Sequence, residues 1–375
     1  MEIYLNFLLL VVSIFARTVA SYQLDPTWPH SSVREMKVYG SGIVLNSEGN
    51  LIVLHRSGIM APGAPVNQTI EEDVVLIVDS VTGKLLRSWG KSLFVWPHGL
   101  AVTDDGDIFI TDSRLHQVFK FKYDPLTKTW NEAAILILGQ RFVPGKDASH
   151  FCTPSDIALV PGSGDFFVSD GYCNSRIVKF DKNGNYLFEF SAGSYNTPYN
   201  PIPFNITHSV GLAPSSNSSE YLVFVADRDN SRLQCFNSTG AFLYEMNHQE
   251  LGASGMPMVF AVTHAPHPDA KFGRIYVSYG TDDTGRAKFV EVEINSESAN
   301  VIKSYPITPL GEDVNGSEAP HDIAVGKDGN TVFVVVSRTD LVLKRYTRDV
   351  GGGSGRRVGG YVLIYLLTIV LAKLN

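Results

Sequence analysis

Apolar and polar residues alternate along this chain in short runs, and the runs come in sets of four. Gly99-Leu100-Ala101-Val102 leads through the polar turn Thr103-Asp104-Asp105-Gly106 into Asp107-Ile108-Phe109-Ile110, and then into Gln117-Val118-Phe119-Lys120-Phe121. Short β-branched and aromatic runs bounded by Asp/Gly turns are strand signals, and period-two alternation marks a half-buried strand. The set returns as Ile157-Ala158-Leu159-Val160, Asp165-Phe166-Phe167-Val168, Arg176-Ile177-Val178-Lys179-Phe180 and Tyr186-Leu187-Phe188-Glu189-Phe190. It returns again as Val210-Gly211-Leu212, Leu222-Val223-Phe224-Val225, Arg232-Leu233-Gln234-Cys235-Phe236 and Phe242-Leu243-Tyr244. The fourth strand is the least regular, and no stretch in the body of the chain sustains a helical period.

Six copies open at Ser41-Gly42-Ile43, His98-Gly99-Leu100, Ser155-Asp156-Ile157, His208-Ser209-Val210, Val259-Phe260-Ala261 and His321-Asp322-Ile323. Four antiparallel strands at periods near fifty residues describe propeller blades, none of which can bury both faces alone. The expected fold is therefore all-β, a six-bladed β-propeller with four antiparallel strands per blade, occupying residues 21–347. The last copy lacks a fourth strand after Leu343-Lys344-Arg345-Tyr346. Val33 to Tyr39 alternates suitably to supply it and close the ring.

Down the first position of the six copies the residues read Ser, His, Ser, His, Val, His. A six-fold ring sets His98, His208 and His321 at alternate places around one axis, where three neutral imidazole nitrogens can converge. Three histidines with an open fourth position are the ligand set of catalytic zinc sites. Polar lining of a wet central channel is the competing explanation of the same column.

Composition narrows the setting. The 375 residues, 44% hydrophobic, can bury a large core, and 33 glycines with 19 prolines suit many strands and turns. A net charge of −7, with no basic run to offset it, argues against nucleic acid as a partner. Leu5 to Phe15 followed by Thr18-Val19-Ala20 reads as a signal peptide over residues 1–20. Sequons at Asn67, Asn205, Asn217, Asn237 and Asn315 agree with a secretory route and are candidate glycosylation sites. In residues 348–375 a Gly/Ser linker, Gly351 to Gly355, precedes Arg356-Arg357 and an apolar run from Val358 to Ala372. That run suits a glycolipid-anchor signal somewhat better than a spanning helix, and either tethers the domain to a membrane. Three cysteines allow three pairings; Cys152 and Cys173 are the candidate pair, with Cys235 left free.

Five stretches carry a closer resemblance: Leu51-Ile52-Val53-Leu54-His55-Arg56, Trp96-Pro97-His98-Gly99-Leu100, Phe167 through Arg176 (FVSDGYCNSR), Val225-Ala226-Asp227-Arg228-Asp229-Asn230 and Pro320-His321-Asp322-Ile323. The chain resembles the NHL-type propellers, and from about Ser41 to Val336 it is similar to the peptidyl-α-hydroxyglycine α-amidating lyases, the lyase part of peptide amidation. The resemblance implies cleavage of a peptidyl-α-hydroxyglycine into a C-terminal amide and glyoxylate, with zinc on His98, His208 and His321. It implies that Tyr172 and Arg56 act on the substrate, with Arg228 a second arginine near it. It also implies a structural calcium on Asp322 and the carbonyls of Ile43 and Leu100, and a Cys152–Cys173 disulfide. Where such proteins have a second disulfide, Cys235 faces Phe224 instead, so that bridge is missing. The hydroxyglycine substrate is expected from a separate copper hydroxylase, and the propeller is expected to be a monomer.

The residue chemistry is consistent with those roles. Breaking a hemiaminal C–N bond requires removal of the hydroxyl proton and protonation of the leaving amide. A guanidinium beside Tyr172 is expected to lower the phenol pKa, which suits Tyr172 with Arg56 as base and partner. Either arginine can instead hold the substrate carboxylate. Asp112, Asp170 and Asp227, at the ends of second strands, are expected to satisfy turn amides. Two other readings of the repeats remain: a non-enzymatic propeller acting as a luminal or cell-surface binding module, and a calcium-dependent hydrolase of the lactonase type. The second would require several axial carboxylates or amides rather than three histidines.

Overall fold

A computed structural model describes residues 22–57, 67–193, 202–217, 220–267, 269–283, 287–294, 299–306, 319–337 and 341–349. The residues assigned to a signal peptide, the apolar tail after Gly351, and Asn315 lie outside the described residues. By contacts the chain divides into a compact unit, Gln23–Thr347, and a terminal unit of Met1–Tyr22 with Arg348–Asn375. Among the described residues no helix is long and apolar enough to cross a membrane.

Six four-stranded antiparallel sheets form a β-propeller. Blade one is Gly40–Leu45, Leu51–His55, Val75–Val78 and Leu85–Trp89; blade two is Pro97–Val102, Ile108–Asp112, Gln117–Asp124 and Thr129–Leu138. Blade three is Asp156–Leu159, Phe166–Asp170, Arg176–Phe180 and Tyr186–Phe190; blade four is Thr207–Pro214, Tyr221–Asp227, Arg232–Asn237 and Phe242–Asn247. Blade five is Val259–His267, Ala270–Tyr279, Lys288–Ile294 and Ala299–Pro306. Blade six takes Ala319–Val325, Thr331–Ser337 and Val342–Arg348 from the end of the chain, and its outer strand, Tyr22–Leu24, from the beginning.

The ring therefore closes as a propeller should, but not with Val33 to Tyr39. Ser31–Arg34 is a helical turn capped by the His30 ring, which accepts from the Ser32 amide at 3.2 Å. Val33 and Val38 both enter the apolar cluster that joins blades six and one, beside Trp28, Leu51 and Phe333. Their spacing reflects a turn and a coil entering one core, not strand alternation. The closure is reinforced where the Asp25 amide donates to the Arg345 carbonyl at 2.9 Å and the Arg345 guanidinium meets the Asp25 carboxylate at 2.5 Å.

Between blades the second and third strands bury almost everything. Trp89 of blade one sits edge-on to Phe121 and Trp130 of blade two, with centroids 4.9 and 5.6 Å apart. The Trp130 indole N–H donates to the Gly106 carbonyl at 2.7 Å. Phe109 and Phe166 join blades two and three at 4.9 Å. At the outer strands burial falls away: Ile135 and Ile137 are exposed, which explains why the fourth strand was the least regular in sequence.

The first strands share one irregularity. Pairing skips Ser41 in blade one, His208 in blade four, Phe260 in blade five and His321 in blade six, and is interrupted at His98-Gly99 in blade two. A bulge re-aims one side chain out of the sheet's alternation. In these five blades the side chain so placed is the second or third of the strand.

Candidate metal centre and active site

His98, His208 and His321 are buried, and one ring nitrogen of each lies within 4.8 Å of the others. Each Nδ1 is held by a carbonyl of the next blade: His98 by Ser155 at 2.8 Å, His208 by Phe260 at 2.7 Å, His321 by Ser41 at 2.7 Å. A carbonyl only accepts, so each Nδ1 carries the proton and each Nε2 presents a lone pair. The carbonyl partner fixing the tautomer is the usual support of a metal-ligating imidazole. The residues between the histidines in the repeat column thus supply the fixing carbonyls, a role their side chains do not reveal. In the fifth copy that residue is Phe260, not Val259; its bulge shifts the true alignment by one position.

Burial pushes all three imidazoles down, His98 and His321 well below the usual range and His208 to about 3, with neighbouring arginines adding to the effect. They are neutral at pH 7. Among the described residues the buried His208 Nε2 has no hydrogen-bond partner, an orphan acceptor that a cation would satisfy. The histidines, with Ser41, Ser155, Asp156, Ser209 and Asp322, enclose a cavity of about 10 Å³, close to the smallest space that holds one water. The three histidines could therefore hold one metal ion.

The connections between second and third strands carry the other site residues to the same place. Tyr172 lies between Asp170 and Arg176, whose carboxylate and guanidinium pair at 2.9 Å and clamp the base of the turn. Arg228 lies likewise between Asp227 and Arg232, paired at 2.7 Å. The acids also accept from the incoming chain, Asp112 from the Val95 and Trp96 amides, Asp170 from Cys152 and Asp227 from Asn205. They do serve turn backbone, and two of them bind arginine as well. The Cys152–Cys173 disulfide is formed and ties the residue after Tyr172 to the strand entry of blade three.

The Tyr172 hydroxyl donates to His98 Nε2 at 2.8 Å and accepts from Arg228 at 3.4 Å. Arg228 stacks over both the Tyr172 and Phe260 rings, and its Nε meets Asp229 at 2.8 Å. Arg56 reaches His321 Nε2 at 3.4 Å and the Pro97 carbonyl at 3.0 Å. Both arginines act on the phenol, Arg56 through its charge and Arg228 through its charge and the hydrogen bond. Burial raises the Tyr172 phenol above its ordinary value, while the Arg56 and Arg228 charges lower it, as expected of neighbouring guanidiniums. Burial brings Arg56 down to about 10, so it stays charged at neutral pH.

Asp322 accepts from the Ile43 and Ile323 amides, each at 2.8 Å. It shares the axial cavity with Asp156, which accepts from the Val210 amide at 3.0 Å. Burial, then the Asp156 charge, drives Asp322 well above the carboxylate range. Asp156 was not singled out in the sequence, although it follows Ser155 in the third copy as Asp322 follows His321 in the sixth. Ile43, Leu100, Asp156 and Asp322 line a larger cavity of about 240 Å³ further along the first strands. Asp322 thus meets Ile43 through the amide nitrogen.

Cys235 is free and buried, directly across the strand pair from Phe224, and burial pushes its thiol up to about 12. Asn67, Asn205 and Asn217 are exposed. Asn237 is half-buried, and its Oδ1 accepts three bonds from Thr239 and Ala241.

The NHL repeat pattern matches residues 94–121 and 151–180, which lie in blades two and three. The Caenorhabditis elegans protein named probable peptidyl-alpha-hydroxyglycine alpha-amidating lyase is 32% identical over 300 residues, covering 77% of this chain and 77% of its own length. The chain belongs to the peptidyl-α-hydroxyglycine α-amidating lyase family. Peptidyl-glycine alpha-amidating monooxygenase B of Xenopus laevis is 35% identical over 332 residues, and this family member covers 35% of that protein's length. A streptogramin B lyase structure superposes with a TM-score of 0.50 at 13% identity, over 88% of this chain and 98% of that one, a likeness of fold.

Proposed function

We propose that the chain is a zinc lyase that cleaves a peptidyl-α-hydroxyglycine into a C-terminally amidated peptide and glyoxylate. The observation that carries the reading is the convergence of three tautomer-fixed imidazoles with the Tyr172 hydroxyl and two arginines. His98, His208 and His321 would hold zinc, which supplies Lewis acidity for the substrate hydroxyl and positive charge that favours a phenolate.

With zinc on His98 Nε2 the Tyr172 hydroxyl would give up its bond to that nitrogen and, as the phenolate favoured by the metal charge and the two guanidiniums, would take the substrate hydroxyl proton and pass it on. Electrons of that O–H bond form the aldehyde carbonyl as the C–N bond breaks, and the proton ends on the departing amide nitrogen. Arg56 and Arg228 hold the carboxylate that leaves with glyoxylate and keep negative charge favourable at the phenol. Burial of the site excludes water from the reacting carbon.

In this reading Asp322 and the carbonyls of Ile43 and Leu100 take a structural calcium, with Asp156 adding charge across the axis; oxygen donors of this kind suit a hard cation. The lyase works in the lumen of the secretory pathway or outside the cell, as a monomer tethered through its C-terminus. Its substrate comes from a copper hydroxylase. Purified protein incubated with a peptidyl-α-hydroxyglycine should release glyoxylate and amide in equal amounts. Release of neither above the uncatalysed rate contradicts the proposal, and leaves the binding-module reading.

A further inference from the structure

Arg56, Tyr172 and Arg228 reach the site from the second-to-third connections of blades one, three and four. The same connection in blade two carries Arg114. Asp112 ends the second strand there as Asp170 does in blade three, and Arg114 follows its acid by two residues as Tyr172 follows Asp170. Asp112 accepts from the amides of Arg114 and Leu115 at 3.0 and 2.9 Å, and from those of Val95 and Trp96 at 2.7 and 2.9 Å. One buried carboxylate thus fixes Trp96 and the Arg114 turn together.

Two guanidiniums pack over the Trp96 indole, Arg56 at 5.3 Å from its centre and Arg114 at 5.7 Å. Arg56 is buried and bonded toward His321 and Pro97. Arg114 is half-buried, and among the described residues its guanidinium meets no carboxylate and makes no hydrogen bond. Stacking on an indole restrains such a side chain before any ligand arrives, so binding loses less freedom. A planar guanidinium left without an acid recognises a carboxylate best, through paired hydrogen bonds.

We infer that Arg114, held on Trp96, is a specificity residue that takes the carboxylate of an Asp or Glu side chain in the peptide upstream of the hydroxyglycine. The inference rests on the lyase reading. Arg56 and Arg228 stand at the reacting end, beside His321 and Tyr172, and Arg114 shares the Trp96 ring with Arg56, which keeps their guanidinium carbons no more than about 11 Å apart. An extended peptide advances roughly 3.4 Å per residue, so the acidic residue belongs two or three positions before the hydroxyglycine. The chain, negative overall, would then select acidic peptides by a local cation and not by its net field.

The test compares kcat/KM, read by glyoxylate release from the full chain, for peptides carrying Glu, Gln or Lys two positions before the hydroxyglycine, and then three. Glu should be favoured over Gln by about two- to fivefold at low salt, as for a half-exposed ion pair, and Lys disfavoured. The preference should shrink as salt rises. In Arg114→Gln the three peptides should become equal, and in Arg114→Glu the order should reverse. Equal kcat/KM for all peptides in the native protein overturns the inference while leaving the lyase reading intact, and so does a Glu preference that survives in Arg114→Gln. No glyoxylate from any peptide overturns both. The native protein's preference and its salt dependence decide the matter even if a variant fails to fold.

Discussion

The Tyr172 hydroxyl lies 2.8 Å from Nε2 of His98, the nitrogen that faces the other two imidazoles. A Phe substitution removes that hydroxyl and leaves the ring in place. Tyr172→Phe should lower kcat by about a hundredfold or more, the usual scale for losing a general acid or base. Metal content and far-UV circular dichroism should stay native. Turnover near the native rate would remove Tyr172 from the proton transfer.

The disulfide next to Tyr172 closes a loop with a sequence separation of 21. A loop of that size corresponds to about 3 kcal/mol through the unfolded chain, on the entropic model. Replacing Cys152 and Cys173 together by serine should cost about 2–4 kcal/mol in urea unfolding. It should also lower kcat more than metal content, because the turn carrying Tyr172 loses its tie to the entry of blade three. An unchanged kcat would show that the Asp170–Arg176 clamp holds the turn alone.

His55 is buried and accepts from the Ser57 amide at 3.0 Å. Burial lowers its pKa from 6.5 to about 4. Between those values the unfolded chain binds a proton that the folded chain refuses, so stability falls as pH falls through this window and the contribution is absent above it. Relative to His55→Gln, the native protein should lose about 1.4 kcal/mol per pH unit from about 6.5 down to 4. Parallel stability profiles for the two proteins would place the imidazole in contact with solvent.

Much of the fold and site was legible because repetition is visible in sequence. The four-strand phrase and the alternate histidines at 98, 208 and 321 follow from periodicity, and the structure brings the three rings together. The outer strand of blade six was not legible. Tyr22–Leu24 has three residues, too few to display alternation, whereas Val33 to Tyr39 displayed it by accident of a turn entering the core. The offset at Phe260 was hidden because a bulge changes alignment without changing composition.

Within the site, residue types pointed to Arg56, Tyr172 and Arg228, while their pairing depended on three-dimensional reach. Arg228, from blade four, arrives at the phenol; Arg56, from blade one, arrives at His321. The lowering effect of the arginines on the phenol was legible, and the opposing effect of burial was not, because a sequence advertises charges and conceals burial. Asp156 stands at the repeat position of Asp322 and Arg114 at that of Tyr172, so repetition could have found both, whereas Trp96 carries no such signal.

Zinc on the three histidines is the central claim, and a metal titration tests it most directly. Protein stripped by a chelator should be folded and inactive toward peptidyl-α-hydroxyglycine. On adding zinc, glyoxylate release should rise in proportion to bound metal and stop rising at one zinc per chain. Full turnover by the metal-free protein, or no turnover at any zinc content, would contradict it.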